Sequence, residues 1–314
     1  MKIDVCICTH NPRREIFTIV LNAIANQTVS KDSYQVWIID NGSNPPISEQ
    51  NLVPLAIADL QYHLIYESNL GIMYARRLAI EATSNELIIF VDDDNELQPD
   101  YLANALEIIE INPTIGCFGG KLLIDPKLVY PHWIEPILPY LAIKDLGDTE
   151  ITKCVEVYEW GVWEPPTAGM VVRREIANLY LKRLAQLPDT LLLGRKGDQG
   201  LLSSEDSLLA RGSYELSLSC SYQPKLQLIH HLNSQRFQLM YMIKLGYSYG
   251  RSNVILDRAL NIPVMPMSIN ELIGFFIPRV RHRQKEAQSI QHFLCTLAWD
   301  IGYIHEKQQR QPEF

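Results

Sequence analysis

The stretch ELIIFVDDDNELQPD, residues 86–100, decides the class of fold. Glu86 to Val91 reads as a short apolar strand, and it stops at three consecutive aspartates, Asp92, Asp93 and Asp94. Pro99 then opens a Leu- and Ile-rich helix that reaches about Ile111. Three adjacent carboxylates repel one another and cannot be buried unpaired, so the strand end needs a cation or water. Hard oxygen ligands suit Mg2+ or Mn2+, ions that usually keep phosphate oxygens in their shell. Strand alternation predicts that Asp92 and Asp94 project to the same side. A solvated acidic turn would carry the same three letters.

Upstream, the same unit repeats. Ile3 to Cys8 reads as a buried strand, followed by a polar turn at Thr9, His10, Asn11 and Pro12 and a helical apolar spacing from Arg13. Tyr34 to Ile39 is a second strand ending at Asp40-Asn41-Gly42-Ser43, a turn signal. His63 to Tyr66 is a third, leading through Asn69-Leu70-Gly71 into a helix from Ile72 to Ala82. Strand, loop and helix alternate four times in about 110 residues, which predicts an α/β fold: a mostly parallel sheet with helices on both faces. In such sheets ligands bind beyond the carboxyl ends of the strands, and every polar cluster here follows one.

Downstream of Gly120 the alternation loosens, and residues 125–165 read as a long irregular region rich in Trp, Tyr and Pro, of the kind that shapes a cleft. Regular signals return at Gly169 to Arg173, at Glu205-Asp206 and at Leu226 to Ile229, which ends at His230-His231. From Arg236 the pattern is helical, so residues 1–235 are expected to form the main domain, with halves 1–120 and 121–235, and 236–314 a helical extension.

The chain has 314 residues and a net charge of −8, a poor match to the phosphate neutralisation that nucleic-acid binding requires. Its six cysteines sit mostly in apolar stretches without zinc spacing, and read as buried free thiols of a reducing compartment. No stretch reaches the ~18 apolar residues of a membrane span, and the N-terminus lacks the pattern of a signal peptide. The expected location is cytoplasmic, or peripheral on the cytoplasmic face of a membrane. The sequence is silent on oligomeric state.

Taken in order, VCICTHNPRREIFTIVLNAIANQT, WIIDNGS, NLGIMYARR, FVDDD, PTAGMVVRRE and SSEDSLLARGSYELS resemble the donor-binding and acceptor-side segments of family 2 glycosyltransferases over residues 3–235. The resemblance implies a GT-A fold, a Rossmann-like sheet extended by an acceptor-side region, and transfer of a sugar from a nucleoside-diphosphate donor, usually a UDP-sugar, to a hydroxyl of a glycan or lipid-linked acceptor. It implies inversion and a divalent cation, Mn2+ or Mg2+. Thr9, His10 and Asn11 would line the nucleotide pocket, Asp40 would accept from the ring N–H of the base, and Asn69 and Arg76 would contact the nucleotide. Arg77 follows where the family often has Asn. Asp94 matches the metal ligand, Asp92 a ribose or second metal contact, and Asp93 lies between them at the donor. Asp206 would be the general base, with Glu205 in reserve; a helix cap explains the same pair. His230 matches a residue that binds metal or diphosphate, and Gly169 one whose missing bulk admits substrate. Trp160 and Trp163 could stack on sugar or pack in the core.

Two other readings of the same features are a non-catalytic scaffold in glycan assembly and a sugar nucleotidyltransferase, whose Gly-rich basic loop after the first strand is replaced here by Thr9-His10-Asn11-Pro12. In the tail, Ser268 to Glu271 is a capping box. It precedes an apolar stripe of Ile269, Leu272, Ile273, Phe276 and Ile277 and then Arg279, Arg281, Arg283 and Lys285. That arrangement predicts either an interfacial membrane helix or a helix packed on the main domain.

Overall fold

The computed structural model describes residues 2–50, 57, 59–188, 191, 193–196 and 200–309. Its contacts divide into two compact units. The first comprises Met1–Asp125, Ala142–Gln186 and Asp206–His231, the second Pro126–Leu141, Leu187–Glu205 and Leu232–Phe314.

In chain order the elements are β1 (Ile3–Thr9), α1 (Arg14–Ala25), β2 (Tyr34–Asn41), α2 (Ile47–Gln50), β3 (Tyr62–Glu67), α3 (Ile72–Ala82), β4 (Leu87–Asp92), β5 (Asn95–Leu97), α4 (Tyr101–Ile111), β6 (Ile115–Ile124), β7 (Ile151–Lys153), β8 (Val171–Arg173), α5 (Arg174–Leu184), α6 (Glu205–Ala210), α7 (Gly212–Glu215), β9 (Ser219–His230), α8 (Leu239–Ala259), α9 (Ile269–Glu286) and α10 (Ile290–Lys307). All seven residues of β1 are buried. A strand covered on both faces must be apolar throughout, which is why β1 and β4 read as runs and not as alternations. The exception proves informative: Asp4 is fully buried. Its carboxylate accepts from Gln35, Trp37, the backbone N–H groups of Ser84 and Asn85, and Arg174, so the charge is satisfied from β2, the turn before β4 and the start of α5.

The sheet runs β3-β2-β1-β4-β8-β6-β9-β5, with β7 also on β9. The β3-β2-β1-β4 half is parallel. Beyond it β8 is antiparallel to β4 and β6, and β9 is parallel to β6. One covalent constraint shapes the whole. Only Asp93 and Asp94 separate β4 from β5, yet β5 pairs with β9 at the far end of the sheet. Four strand spacings would be ~19 Å in a flat sheet. Three Cα steps span at most ~11 Å. The sheet therefore curls until its end returns to the carboxyl edge of β4.

The region expected to be irregular after Gly120 is more ordered than the sequence predicts. β6 continues to Ile124, a 3-10 stretch covers His132–Leu141, and β7 follows. Pairing with β9, more than sixty residues away, is what makes β6 and β7 strands, and no local periodicity reports it.

In the second unit α8 and α10 pack backbone to backbone. A Cβ at Gly250 would stand 2.0 Å from the Trp299 carbonyl oxygen, and one at Gly302 2.0 Å from that of Tyr247. Beside this contact, Glu306 of α10 accepts from Arg251 at 2.9 Å and from Arg258 at 2.8 Å. The capping box opens α9 as expected, with Ser268 and Glu271 bonding each other's backbone N–H. The apolar stripe and basic run behind it divide differently from the expectation. Leu272 and Phe276 are half-buried, and Arg279 and Arg283 bind Asp300 of α10 at 2.6 and 3.1 Å.

Candidate active site

The carboxyl ends of β1 and β2 are laced into one surface. His10 Nδ1 lies 2.8 Å from the Asn41 carbonyl. Asn11, in the left-handed region at φ 49°, receives the hydroxyl oxygen of Ser43 on its N–H and accepts from Asn44 N–H, both at 2.9 Å. Asp40 is buried beneath this lacing. Its two oxygens accept the N–H groups of Ser43 and Ile47 at 3.0 and 2.8 Å, so in this structure its carboxylate holds the turn. Asn41 does the same for the next loop, accepting from Gly71 N–H and donating to the carbonyls of Glu67 and Asn69. Asn69 donates in turn to the Glu67 carboxylate. Positive φ at Gly71, 145°, permits that reversal into α3.

The three aspartates take three different partners. β4 ends at Asp92 and the chain turns through Asp93 and Asp94, so strand alternation does not govern the trio. Asp92 Oδ1 stands 3.8 Å from Arg76, whose guanidinium is buried, donates to Thr167 at 2.5 Å and lies 6.0 Å from the Phe90 ring centre. Arg77, one residue on, turns outward to Glu81 at 2.8 Å. Asp93 accepts from the Thr9 hydroxyl. Asp94 Oδ1 lies 3.3 Å from His230 Nε2, and Asp94 Oδ2 4.0 Å from Arg13. The β5–β9 ladder delivers that histidine: His230 pairs with Asn95, and His231 N–H donates to the Asp94 carbonyl at 2.8 Å. His230 Nδ1 is buried with no hydrogen-bond partner among the described residues. A buried orphan of this kind costs ~1–3 kcal/mol, a cost more often met at functional sites than in plain scaffolding. His231 is sandwiched between Glu96 at 2.7 Å and Asp125 at 3.1 Å.

A second cluster surrounds Asp206. That residue accepts its own helix's Ser207 N–H at 2.8 Å. Nearby, Glu164 and Arg211 form a buried ion pair at 3.2 Å, and Tyr214 donates to the same carboxylate. Burial raises the Glu164 pKa, an effect opposed chiefly by Arg211. Lys144 donates to the Glu164 carbonyl at 2.8 Å, and burial pushes its pKa down to about 8, with Glu164 and Asp206 opposing. The segment 164–167 joins the two clusters. Glu164 serves the Asp206 side and Thr167, three residues on, receives Arg76. Three residues reach at most ~11 Å, so the clusters are close neighbours.

The profile of glycosyl transferase family 2 matches residues 4–160, half of the chain. The chain belongs to that family. A glucosyl-dolichyl phosphate glucuronosyltransferase of Haloferax volcanii is 21% identical over 97% of this chain and 96% of its own length. Among solved structures, the mannosyltransferase PcManGT from Pyrobaculum calidifontis in complex with GDP-Man and Mn2+ has a TM-score of 0.55 at 15% identity, covering 98% of this chain and 86% of its own. Residues 1–349 of S. aureus TarS in complex with UDP-GlcNAc give 0.52 at 14%, covering 98% and 90%. These structures share the GT-A fold, and a nucleotide-sugar-using glycosyltransferase is what this chain is similar to throughout.

In this family 2 enzyme the structure brings Thr9, His10, Asn11, Arg76, Asp92, Asp93, Asp94 and His230 to the carboxyl edge of the first unit. Gly169 is placed differently from the expectation. A Cβ there would meet Tyr101 Oη at 2.5 Å and Leu228 at 2.7 Å, and its φ is 79°. The missing bulk makes room for core side chains, and Tyr101 also donates to the Gly169 carbonyl. Trp163 is tied to Tyr214 at 3.0 Å, whereas Trp160 is exposed. Glu205 is buried, and the division between the units falls between it and Asp206. Sequence reasoning missed Arg13, Lys144, Glu164, Thr167 and Arg211. Glu164 and Thr167 flank Pro165-Pro166 at the start of the quoted PTAGMVVRRE segment; Lys144 carries no local signal at all.

Proposed function

We propose that this glycosyltransferase transfers a sugar from a nucleoside-diphosphate donor to a hydroxyl of a lipid-linked or glycan acceptor, with inversion at the anomeric carbon. The observation that carries the reading is the trio Asp92–Asp94 with its three partners, Arg76, Thr9 and His230. A donor's diphosphate brings negative charge to an edge that already holds three carboxylates, so cations must stand between them. Arg76 and Arg13 are two.

A divalent cation is the third, and the residues fit one. Among the described residues no group of three or more His, Cys, Asp or Glu is placed to hold a metal ion. Asp94 and His230 nevertheless offer two donor atoms 3.3 Å apart, close to the ~3 Å edge of an octahedron with ~2.1 Å bonds. Mg2+ and Mn2+ ions that serve phosphate chemistry use one or two protein ligands and fill the rest with phosphate oxygens and water. Asp92 is the further candidate. Bound there, the ion would neutralise the diphosphate as it leaves.

Asp206 is the proposed base. Its carboxylate takes the proton of the acceptor hydroxyl as that oxygen attacks the anomeric carbon, and the bond to the diphosphate breaks on the opposite face. Glu164 and Arg211 hold the helix that carries it, so positioning does much of the work. Thr9, His10 and Asn11 form the nucleotide side; Asp40 and Asn69 act through the loops they fix. Exposed Tyr158 and Trp160 are candidates for the acceptor's apolar contacts. A uracil base and a lipid-linked acceptor draw support from the UDP-GlcNAc complex and from the dolichyl-phosphate substrate named for the Haloferax relative.

The test is a thermal-shift panel of UDP, GDP, dTDP and CDP, each with Mn2+, Mg2+ or EDTA. One nucleotide should raise the melting temperature far more with metal than with EDTA, and Asp94→Ala should abolish the metal-dependent part of the shift. No shift at millimolar nucleotide sinks the proposal and favours the scaffold reading.

A further inference from the structure

Helix α9 has no buried residue. Ile269, Ile273 and Ile277, at i, i+4 and i+8, are exposed along it, Ile269 to 79%. On α10, Ile290, Leu294 and Ile301 are exposed as well, Ile290 to 70%. Six large aliphatic side chains in water within 33 residues are an unusual concentration, and singly scattered ones would not be.

The two stripes face the same way. Phe275 stacks on Tyr303, and Arg279 and Arg283 both bind Asp300, so residues later in α9 meet residues earlier in α10 and the helices form an antiparallel hairpin. At 100° per residue, the α9 stripe lies roughly 120° clockwise of its α10-facing edge, viewed from the α9 N-terminus. The α10 stripe lies roughly 130° clockwise of its α9-facing edge, viewed from the α10 N-terminus. Antiparallel helices see each other's rotation reversed, so both stripes fall on one side of the hairpin. The third sector of α10 is occupied: Cys295, Trp299 and Gly302 meet α8. The apolar side is therefore the hairpin's outer face.

The charge on that face decides its partner. The acidic residues of α9, Glu271 and Glu286, project away from the stripe by helical position, and those of α10, Asp300 and Glu306, are buried in ion pairs. Exposed Arg281 stands at the stripe's shoulder, about 80° from its centre, and exposed Lys285 follows one turn on, about 120° from it. A face without a carboxylate, in a chain of net charge −8, is fitted to something both apolar and negative. A second copy of the same face would bring no carboxylate to Arg281 and Lys285 across an isologous contact. We infer that the outer face of the α9–α10 hairpin docks on an anionic lipid surface, with the isoleucines in the acyl boundary and Arg281 and Lys285 at the headgroups. Arg279 and Arg283 are not part of that contact, because Asp300 holds them.

The experiment is flotation of the full chain with vesicles of phosphatidylcholine containing 30% phosphatidylglycerol, against phosphatidylcholine alone. The wild type should float with the anionic vesicles and lose most binding in pure phosphatidylcholine or at high salt. Arg281→Glu/Lys285→Glu should weaken it by roughly 30-fold or more, and Ile273→Glu/Ile277→Glu should abolish it. Both variants should keep the wild-type melting temperature and nucleotide response, so the result is independent of the transfer reaction. The inference is overturned if the wild type floats with neither vesicle or with both equally. Variants that float like the wild type overturn it too, as does a wild-type dimer that Ile273→Glu/Ile277→Glu splits without any vesicle binding.

Discussion

Arg76 and Arg77 are adjacent, and their environments differ in every respect that matters for function. Arg76 is buried between Thr167, Asp92 and the Phe90 ring; Arg77 is exposed and paired one turn along with Glu81. An exposed i,i+4 pair contributes ~0.3–0.5 kcal/mol, whereas a buried guanidinium beside the proposed donor site would act on the ligand directly. Arg76→Ala should weaken nucleoside-diphosphate binding by roughly 10- to 100-fold, ~1.4–2.8 kcal/mol, in a calorimetric titration. Arg77→Ala should leave it within about twofold. Equal losses from both would remove Arg76 from the site. Lys144 gives a second prediction, in pH. Its folded pKa of about 8 lies below the unfolded value of 10.5, so burial disfavours its charged form. The unfolded chain then binds more protons between these values, and this group's contribution to stability rises with pH from about 8 to 10.5. Against a Lys144→Met variant, which lacks the buried charge, the wild type should be less stable at pH 7 and should close the gap as pH rises to 10. A gap that is flat with pH would show that the ammonium is not desolvated.

Between elements, glycine marks where one helix touches another and where it does not. A methyl at Gly250 or Gly302 meets backbone carbonyl oxygen at 2.0 Å, and backbone cannot step aside as a side-chain tip can. Gly274, within α9, has nothing within 4 Å of its would-be Cβ. Gly250→Ala should therefore destabilise by at least ~2 kcal/mol, while Gly274→Ala should stabilise by ~0.5–1 kcal/mol through helix propensity alone. Chemical denaturation of the two variants, read by helical circular dichroism, separates them; a loss at Gly274 would mean that α9 is not the open helix described above. The same scale shows what a sequence can disclose. β1, α3 and the α9 capping box were legible because their signals are local: an apolar run, a 3.6-residue spacing, Ser268 three before Glu271. β5 was not. It has three residues, one of them the charged Glu96, and becomes a strand only by pairing with β9 more than 130 positions away. His230 reached Asp94 through that ladder, so its motif was readable and its neighbour was legible only as a family expectation. Gly169 illustrates a related point: a glycine in a motif announces a close approach, here by Tyr101 and Leu228, but not which group makes it.

At the scale of the molecule, the curl of the sheet and the incompleteness of the proposed cation site lead to one prediction. The connection Asp93-Asp94 bends the sheet so that β9 brings His230 to the end of β4, and two protein donors meet there. Two donors are too few to hold Mg2+ or Mn2+ tightly, because either ion keeps six ligands and gives up water reluctantly. A nucleoside diphosphate is similarly short of partners, since Asp92, Asp93 and Asp94 repel it and Arg76 and Arg13 only partly compensate. Each ligand supplies what the other lacks, so their binding must be coupled, and the coupling is reciprocal by thermodynamic necessity. Mn2+ alone should shift the melting temperature little; with the cognate nucleotide, each should raise the other's affinity by the same factor, on the order of 10- to 100-fold. Asp94→Asn and His230→Ala should each collapse that factor toward one and leave residual metal-free nucleotide binding in place, because Thr9, Asn11 and Arg76 are untouched. A four-corner titration (wild type and variant, with and without Mn2+) measures the factor directly. If the metal and the nucleotide bind independently in the wild type, Asp94 and His230 are not its ligands, and the trio's negative charge must be met by the arginines alone.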